Sequence, residues 1–226
     1  MSQKQEIPKI RLMRKSDEKV VLDVFKSKRN YIMMQMLRKT IIRKRSSLIW
    51  LLMFGLLLTI LPIKKSNLWL YLVYAAFVTF LLISYYVIEA LSFHIIVERG
   101  MAKELFHGCY EYYQREGRAL LVAELFGRVV GIAAIDRAGG VGDTCEWKRI
   151  TILPPFKRRG VGKKLNDECL SLSKMLGYKK AVLHTTELQQ PAISLYSNMG
   201  FAMINSYIYP WCSININVGI YEKLLE

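Results

Sequence analysis

The segment Phe156–Leu165, FKRRGVGKKL, places five cations around two glycines. The apolar segment ITIL and two prolines come before it, and the residues after it predict a helix. A strand, a glycine-rich turn and a helix N-terminus make an anion site, because the backbone can approach a phosphate and free N–H groups point at it. The predicted N–H donors of this phosphate-binding turn are Arg158, Arg159, Gly160, Val161, Gly162 and Lys163.

The same segment has three other interpretations: a nucleic-acid patch, a sorting signal, or a basic helix start beside a membrane. It contains neither the Walker A pattern nor the Gly-x-Gly-x-x-Gly dinucleotide fingerprint. The net charge of the chain is +15, but residues 1–65 contribute +12 and residues 98–226 only +4. Because the basic excess lies outside this segment, we expect no nucleic-acid partner.

The elements that must position this turn follow from the hydrophobic pattern. Near the N-terminus, PKIRLMRKSD predicts a strand and SDEKVVLDVFKSK a helix with Ser16 as its N-cap. The later predictions are a helix over 98–116, hairpin strands over 119–125 and 128–136 joined at Phe126-Gly127, a strand over 145–153, a helix over 161–176, a strand over 179–185, a helix in QPAISLYSNMG and two final strands. This order indicates a mixed α/β (α+β) fold that the N-terminal strand and helix complete.

Two apolar segments separate the N-terminal elements from the rest. Ser46–Ile63 has 18 residues without a charge and Ser66–Ile88 has 23. As helices they would measure about 27 and 34 Å, against a bilayer core of about 30 Å. We predict a transmembrane helical hairpin. The alternative is a pair of buried core helices. The first segment is short and contains Pro62, so it is also compatible with a re-entrant segment that does not cross the bilayer. The predicted parts of the chain are residues 1–45, the hairpin 46–90 and a catalytic part 91–226.

A polybasic segment before the hairpin predicts its orientation. Val24–Arg45 contains eight cations and no acid. Positive residues favour the cytosolic side and attract anionic lipid headgroups, so both termini are expected in the cytosol. A nuclear signal in IIRKRSS is the less favoured interpretation beside a membrane span. The polar N-terminus predicts no cleavable secretory signal.

The four cysteines predict neither a metal site nor a disulfide framework. Their wide spacing lacks a Cys-x-x-Cys pair and a nearby pair of histidines. They are Cys109, Cys145, Cys169 and Cys212. We expect free thiols in the cytosol.

Two motifs carry a family resemblance. ITILPPFKRRGVGKKL resembles motif A of the GNAT acetyltransferases, and LQQPAISLYSNMGF is similar to the second hallmark of that family. IRLMRKSD also resembles a GNAT first strand, so the match covers about 9–25 and 118–226. An apolar hairpin between the first helices resembles the camello-like group, which includes cysteine S-conjugate and aspartate N-acetyltransferases of the endoplasmic reticulum. The resemblance implies a twisted, mostly antiparallel mixed sheet flanked by helices, with the hairpin inserted.

The resemblance also implies a site for acetyl-CoA, with no metal. The turn Arg158–Lys163 would hold the pyrophosphate, although Lys157 stands where Arg or Gln is usual. Backbone groups of Ile150, Thr151, Ile152 and Leu153 would pair with the pantetheine arm and polarise the thioester carbonyl. Gln189 would contact pantetheine. Tyr196 would be the general acid that protonates the CoA thiolate, the alternative being an aromatic residue of the core.

The general base stays open on the sequence. His184, Glu146 and Glu187 are candidates, and a water relay is another, because an α-amine has an ordinary pKa of about 8. The leading functional hypothesis is a membrane-anchored N-acetyltransferase, in the endoplasmic reticulum, acting on a small amino acid or cysteine conjugate. The alternatives are a protein lysine acetyltransferase and a non-catalytic acyl-CoA-binding scaffold.

Overall fold

The structure, a computed structural model, describes residues 6–43, 49, 53, 68–105, 108–139, 142–211 and 214–225. The chain divides into two compact units. The first comprises Met1–Tyr31, Met101–Trp211 and Asn215–Glu226, and the second comprises Ile32–Gly100 and Cys212–Ile214. All residues predicted to bind acetyl-CoA or to catalyse transfer belong to the first unit.

Five α-helices lie within these described ranges. They are α1 Glu18–Arg43, α2 Leu68–Leu105, α3 Cys109–Tyr113, α4 Val161–Met175 and α5 Gln190–Asn198. The helix predicted over 98–116 is instead the end of α2 and the separate α3. Gly108 precedes α3 with φ +79°, a conformation that a continuing helix does not contain. α1 continues to Arg43, well beyond the helix that was predicted for the segment SDEKVVLDVFKSK.

Seven strands form one sheet in the order β1-β2-β3-β4-β5-β7-β6. They are β1 Lys9–Leu12, β2 Ala119–Leu125, β3 Arg128–Arg137, β4 Thr144–Ile152, β5 Lys180–Thr186, β6 Ala202–Trp211 and β7 Ile214–Leu224. β4 and β5 are parallel, whereas β1–β2, β2–β3, β3–β4 and β5–β7 are antiparallel. The predicted mixed, mostly antiparallel sheet flanked by helices is confirmed.

The turn between β2 and β3 is the hairpin predicted at Phe126-Gly127. Both residues have positive φ, +52° and +68°. Two successive residues of this kind match the right-handed twist of the flanking strands, as in a type I′ turn. Phe126 accepts this conformation on the surface, where its ring is exposed.

The sheet is covered by buried side chains on both faces. One face packs under α4 and α5 in an apolar cluster that contains Trp147, Leu165, Leu183 and Tyr196. On the opposite face, the hydroxyl of Tyr112 in α3 donates to the buried Asp136 of β3 at 2.6 Å. Successive strand residues therefore divide between the two faces, as the period of a strand requires.

One helix is long and apolar enough to cross a membrane among the described residues. The candidate span is Leu72–Ser92, 21 residues with mean hydropathy 1.8, none of it buried. It belongs to α2 and overlaps the second predicted apolar segment. The first segment, Ser46–Ile63, lies outside the described residues apart from Ile49 and Met53. The hairpin stays a prediction.

Candidate active site

The predicted phosphate turn connects β4 to α4. After Leu153 the chain makes a 3₁₀ turn over Pro154–Phe156 and reaches Gly160, the N-cap of α4. Gly160 has φ +75°, and a Cβ added there would meet no described atom within 4 Å. The backbone conformation therefore favours glycine at this position, and no described atom fills the space where a side chain would begin.

The N-terminus of α4 presents unpaired donors. The first intrahelical bond runs from the Lys164 N–H to the Gly160 carbonyl at 3.1 Å. The preceding N–H groups, of Val161, Gly162 and Lys163, have no acceptor inside a helix. Within the described residues no side chain caps this end, and the first turn contains no acid. The arrangement suits an anion such as a phosphate.

Gly162 allows α4 to pack closely on β4. A Cβ at this position would lie 2.9 Å from Ile152 Cδ1 and 3.5 Å from Leu195 Cδ2. Glycine therefore suits the two positions for different physical reasons. Position 160 needs a left-handed backbone conformation, and position 162 needs close packing.

The basic side chains of the turn, Lys157, Arg158, Arg159 and Lys163, are exposed. Lys157, the position that departs from the family pattern, places its Nζ 4.3 Å from the ring centroid of Tyr31 in α1. A cation–π contact at an exposed site contributes about 0.5–1 kcal/mol. Lys157 is thus directed towards α1 at the edge of the turn.

A gap opens between β4 and β5. Their ladder runs only from Thr144, opposite Lys180, to Trp147, opposite Leu183. Beyond it, β5 continues to Thr186 along β7, while β4 continues along β3 to Ile152. The two parallel strands therefore separate, and the gap leads towards the phosphate turn.

A bulge in β4 begins where the gap begins. In the β3–β4 register Ala134 faces Lys148 and Ile132 faces Thr151, so β4 carries one extra residue. Arg149 in this bulge has φ +62°, the left-handed conformation that is uncommon for a residue with a side chain. Bulges re-aim strand groups and occur beside active sites.

Only some of the predicted backbone groups face the gap. Leu153 donates its N–H to the Val130 carbonyl of β3 at 2.8 Å, and its carbonyl accepts from the Phe156 N–H at 3.0 Å, so neither group faces the gap. Because strand groups alternate, those of Thr151 also point to β3 and those of Ile150 and Ile152 point to the gap. The carbonyl of Ile150 accepts a hydrogen bond from Lys28 Nζ at 3.0 Å.

Tyr196 lies in α5 within the apolar cluster. Its side chain is buried, and its ring centroid lies 6.1 Å from that of Phe201. Burial raises the pKa of the Tyr196 hydroxyl above its ordinary value, with a smaller contribution from Cys169. The phenol is consequently protonated at neutral pH, which is the state a general acid needs.

Two further groups lie where β5 leaves β4 and α5 begins. The hydroxyl of Thr185 is buried and has no hydrogen-bond partner among the described atoms. Buried polar groups are normally paired, so this hydroxyl has capacity for a ligand. Gln189 is the N-cap residue of α5, and its Nε2 lies 3.4 Å from Thr186 Oγ1. Sequence reasoning found Gln189 but missed Thr185, because only packing shows that its hydroxyl is unpaired.

The three candidate bases differ in their surroundings. His184 is exposed on the sheet face opposite Leu183, with its ring centroid 6.3 Å from that of Tyr207. Lys148 Nζ lies 3.4 Å from the carboxylate of Glu146. Glu187 follows β5, and its carboxylate accepts from the Asn217 N–H at 3.4 Å. The roles of these residues remain predictions.

A charged group beside the bulge was not recognised from the sequence. The Arg149 Nη2 lies 3.0 Å from the Glu104 carboxylate, which also accepts from the Tyr113 hydroxyl at 2.9 Å. Lys28, interpreted above as part of the polybasic segment, approaches the same bulge from α1. No motif links these residues, because four separate elements bring them together.

A comparison with models of known protein families identifies the class of this protein. The model of the acetyltransferase (GNAT) family matches residues 84–201. The chain therefore belongs to the GNAT acetyltransferase family, as the two motifs predicted.

Individual relatives place the chain near the N-acetyltransferase 8 group. It is 29% identical to mouse N-acetyltransferase 8F1 over 210 residues, 88% of this chain and 87% of the relative. It is 31% identical to rat N-acetylaspartate synthetase over 110 residues, 47% of this chain and 36% of that protein. The predicted resemblance to the camello-like, N-acetyltransferase 8-like group is confirmed. The chain spans 58%, 54% and 64% of the length of three other curated relatives.

A solved structure of yncA, a putative acetyltransferase from Salmonella typhimurium with acetyl-CoA, is 20% identical with a TM-score of 0.49. The match covers 52% of this chain and 70% of that one.

Proposed function

We propose that the protein transfers the acetyl group of acetyl-CoA to the α-amine of a small amino acid or cysteine S-conjugate. The observation that carries this proposal is the gap between β4 and β5, which opens after Trp147 beside the uncapped N-terminus of α4. The gap offers backbone groups of β4 to the extended pantetheine arm, and the N-terminus of α4 offers N–H groups to the phosphates.

The residues present fit acetyl-CoA. The open left-handed turn at Gly160 and the first N–H groups of α4 would hold the pyrophosphate. The gap-facing groups of Ile150 and Ile152 would pair with pantetheine, and the unpaired Thr185 hydroxyl offers another hydrogen bond. When bound, acetyl-CoA supplies an acyl group on a thiol leaving group.

The transfer needs two proton movements. As the amine nitrogen bonds to the acyl carbon and the carbon–sulfur bond breaks, Tyr196 donates a proton to the departing thiolate. The amine loses its own proton to His184, Glu146, Glu187 or water. Since an α-amine has an ordinary pKa of about 8, a weak base suffices near neutral pH.

The acceptor class and the location belong to the same proposal. Rat N-acetylaspartate synthetase, which resembles half of this chain, is named for an amino-acid product. The apolar stretch Leu72–Ser92 and the cations of α1 would anchor the enzyme to an endoplasmic reticulum membrane with anionic headgroups. The catalytic unit would then face the cytosol.

The decisive experiment is an acetyl-CoA turnover assay of the full chain in detergent. The acceptor panel contains S-substituted cysteines, aspartate and a lysine peptide. We expect CoA release with one or more of the amino acids. Turnover confined to the peptide would identify a protein lysine acetyltransferase, and acetyl-CoA binding without turnover would identify a scaffold.

A further inference from the structure

Lys28 lies at the part of β4 that faces the gap. The side chain, on α1, is partly buried, and its Nζ donates to the Ile150 carbonyl at 3.0 Å. An ammonium group has three N–H donors. Among the described residues, the Ile150 carbonyl is the acceptor found for the Lys28 ammonium group, so two of its N–H donors remain for a ligand.

The charge of Lys28 has no described counter-ion. The neighbouring cation, Arg149, is paired with the buried carboxylate of Glu104. Within the described residues no carboxylate lies within 4 Å of Lys28 Nζ. Burial and the nearby Arg149 charge together lower the pKa of Lys28 to about 8. A buried cation is unfavourable unless it is paired, so the site is complementary to an anion.

We propose that Lys28 binds the carboxylate of the acceptor amino acid, in a site that rests on the proposed acetyltransferase function. In an α-amino acid the amine and the carboxylate are attached to the same carbon. An amine held at the gap-facing edge of β4 therefore places its carboxylate beside a cation that contacts this edge through Ile150. The Arg149–Glu104 pair holds the bulge in place and leaves the recognition to Lys28.

The proposal distinguishes two kinds of acceptor. A free amino acid presents an anion next to its amine, whereas a lysine side chain of a protein presents only methylene groups there. Lys28 is thus a specificity-determining residue for small α-amino carboxylates. The competing explanation is structural: the Lys28–Ile150 hydrogen bond only ties α1 to β4.

The test compares an S-substituted cysteine with its carboxamide, using the full chain in detergent. We expect the wild type to prefer the free acid in kcat/KM. Lys28→Gln should reduce this preference by about 10- to 100-fold, mainly through the KM of the acid, because a hydrogen bond to a charged group is lost. Because Lys28 also contacts Ile150, the KM of acetyl-CoA should rise equally with the acid and the amide, and only the KM of the acid should rise further. Lys28→Arg should retain the preference for the acid.

Lys19→Gln is the matched control, since it removes a cation from an exposed position of the same helix. Equal losses for the acid and the amide in Lys28→Gln would assign Lys28 a structural role and overturn the proposal. A wild-type enzyme that acetylates both acceptors equally would overturn it without any variant. A wild type that acetylates neither would instead overturn the proposed function, and with it this inference.

Discussion

The guanidinium of Arg149 lies 3.0 Å from the carboxylate of Glu104, and this ion pair joins the bulge of β4 to the end of α2. Glu104 is 5% exposed, and Arg149 has the left-handed φ of +62°. The pair therefore anchors the bulged part of β4, two residues beyond Trp147, the last residue of β4 that pairs with β5. In the proposed site, the strand groups offered to pantetheine lie next to this contact.

Removing the carboxylate should destabilise the fold. We expect Glu104→Gln to lower the free energy of unfolding by about 3 kcal/mol, because it removes the buried carboxylate that pairs with the partly buried guanidinium of Arg149. Thermal unfolding in detergent measures the effect. The control is Glu116→Gln, which breaks a pair with Arg137 in which the Glu116 side chain is 95% exposed. That variant should stay within about 0.5 kcal/mol of the wild type; equal losses in the two variants would refute the role of the buried pair.

The phosphate turn is tested by a pair of glycines. Gly160→Ala and Gly127→Ala both place alanine at a positive φ with open space around it, +75° and +68°. Each should lose about 1–2 kcal/mol of stability. Only Gly160→Ala should raise the KM of acetyl-CoA, by about tenfold, because the shifted turn misplaces an N–H donor to phosphate. Steady-state kinetics measures the KM of acetyl-CoA for each variant. Equal KM values in both variants would contradict the role of this turn in binding phosphate.

The general acid is tested at Tyr196. Tyr196→Phe should lower kcat by about 10²–10⁴-fold with little change in the KM of acetyl-CoA, since it removes only the proton donor. Tyr178→Phe is the control, because that hydroxyl donates to the Gly117 carbonyl at 2.5 Å, away from the gap. An unchanged kcat in Tyr196→Phe would show that Tyr196 is not the general acid and serves only as an aromatic residue of the core.

The partly buried ammonium group of Lys28 predicts a pH dependence of stability. Burial, and to a smaller extent the charge of Arg149, lower the pKa of Lys28 from 10.5 to about 8 in the folded chain. Between these values the unfolded chain keeps a proton that the folded chain has lost, so the stability contribution of Lys28 rises with pH. Below pH about 8 its full cost is present.

The measurement is the melting temperature of the wild type and of Lys28→Met as pH rises. The variant should be favoured most below pH about 8, and its advantage should shrink towards pH 10.5. A constant difference over this range would show that Lys28 titrates normally.

The membrane orientation is tested in microsomes. A tag at the C-terminus should be accessible to added protease while the membrane is intact, because the cations before the predicted hairpin favour the cytosolic side. An internal luminal protein serves as the control for membrane integrity. Protection of the tag would reverse the proposed orientation.

Local patterns were sufficient for most of the fold. Glycine at 160, 177 and 200 marks helix boundaries that depend on backbone conformation, and all three have positive φ. The turn at Phe126-Gly127 and the helix after Gly160 follow from similarly local preferences. The predicted helix over 98–116 failed at Gly108, since an apolar pattern continues across a break in the backbone.

The sequence by itself determined the family and predicted the phosphate turn and the candidate acid Tyr196, because each depends on neighbouring residues in a motif. Only the tertiary structure placed Lys28 at the carbonyl of Ile150 and paired Arg149 with Glu104. These contacts join residues that are 122 and 45 positions apart. Their charges interact through space, and the folding of α1 and α2 around β4 decides which cation has a partner and which is left for a ligand.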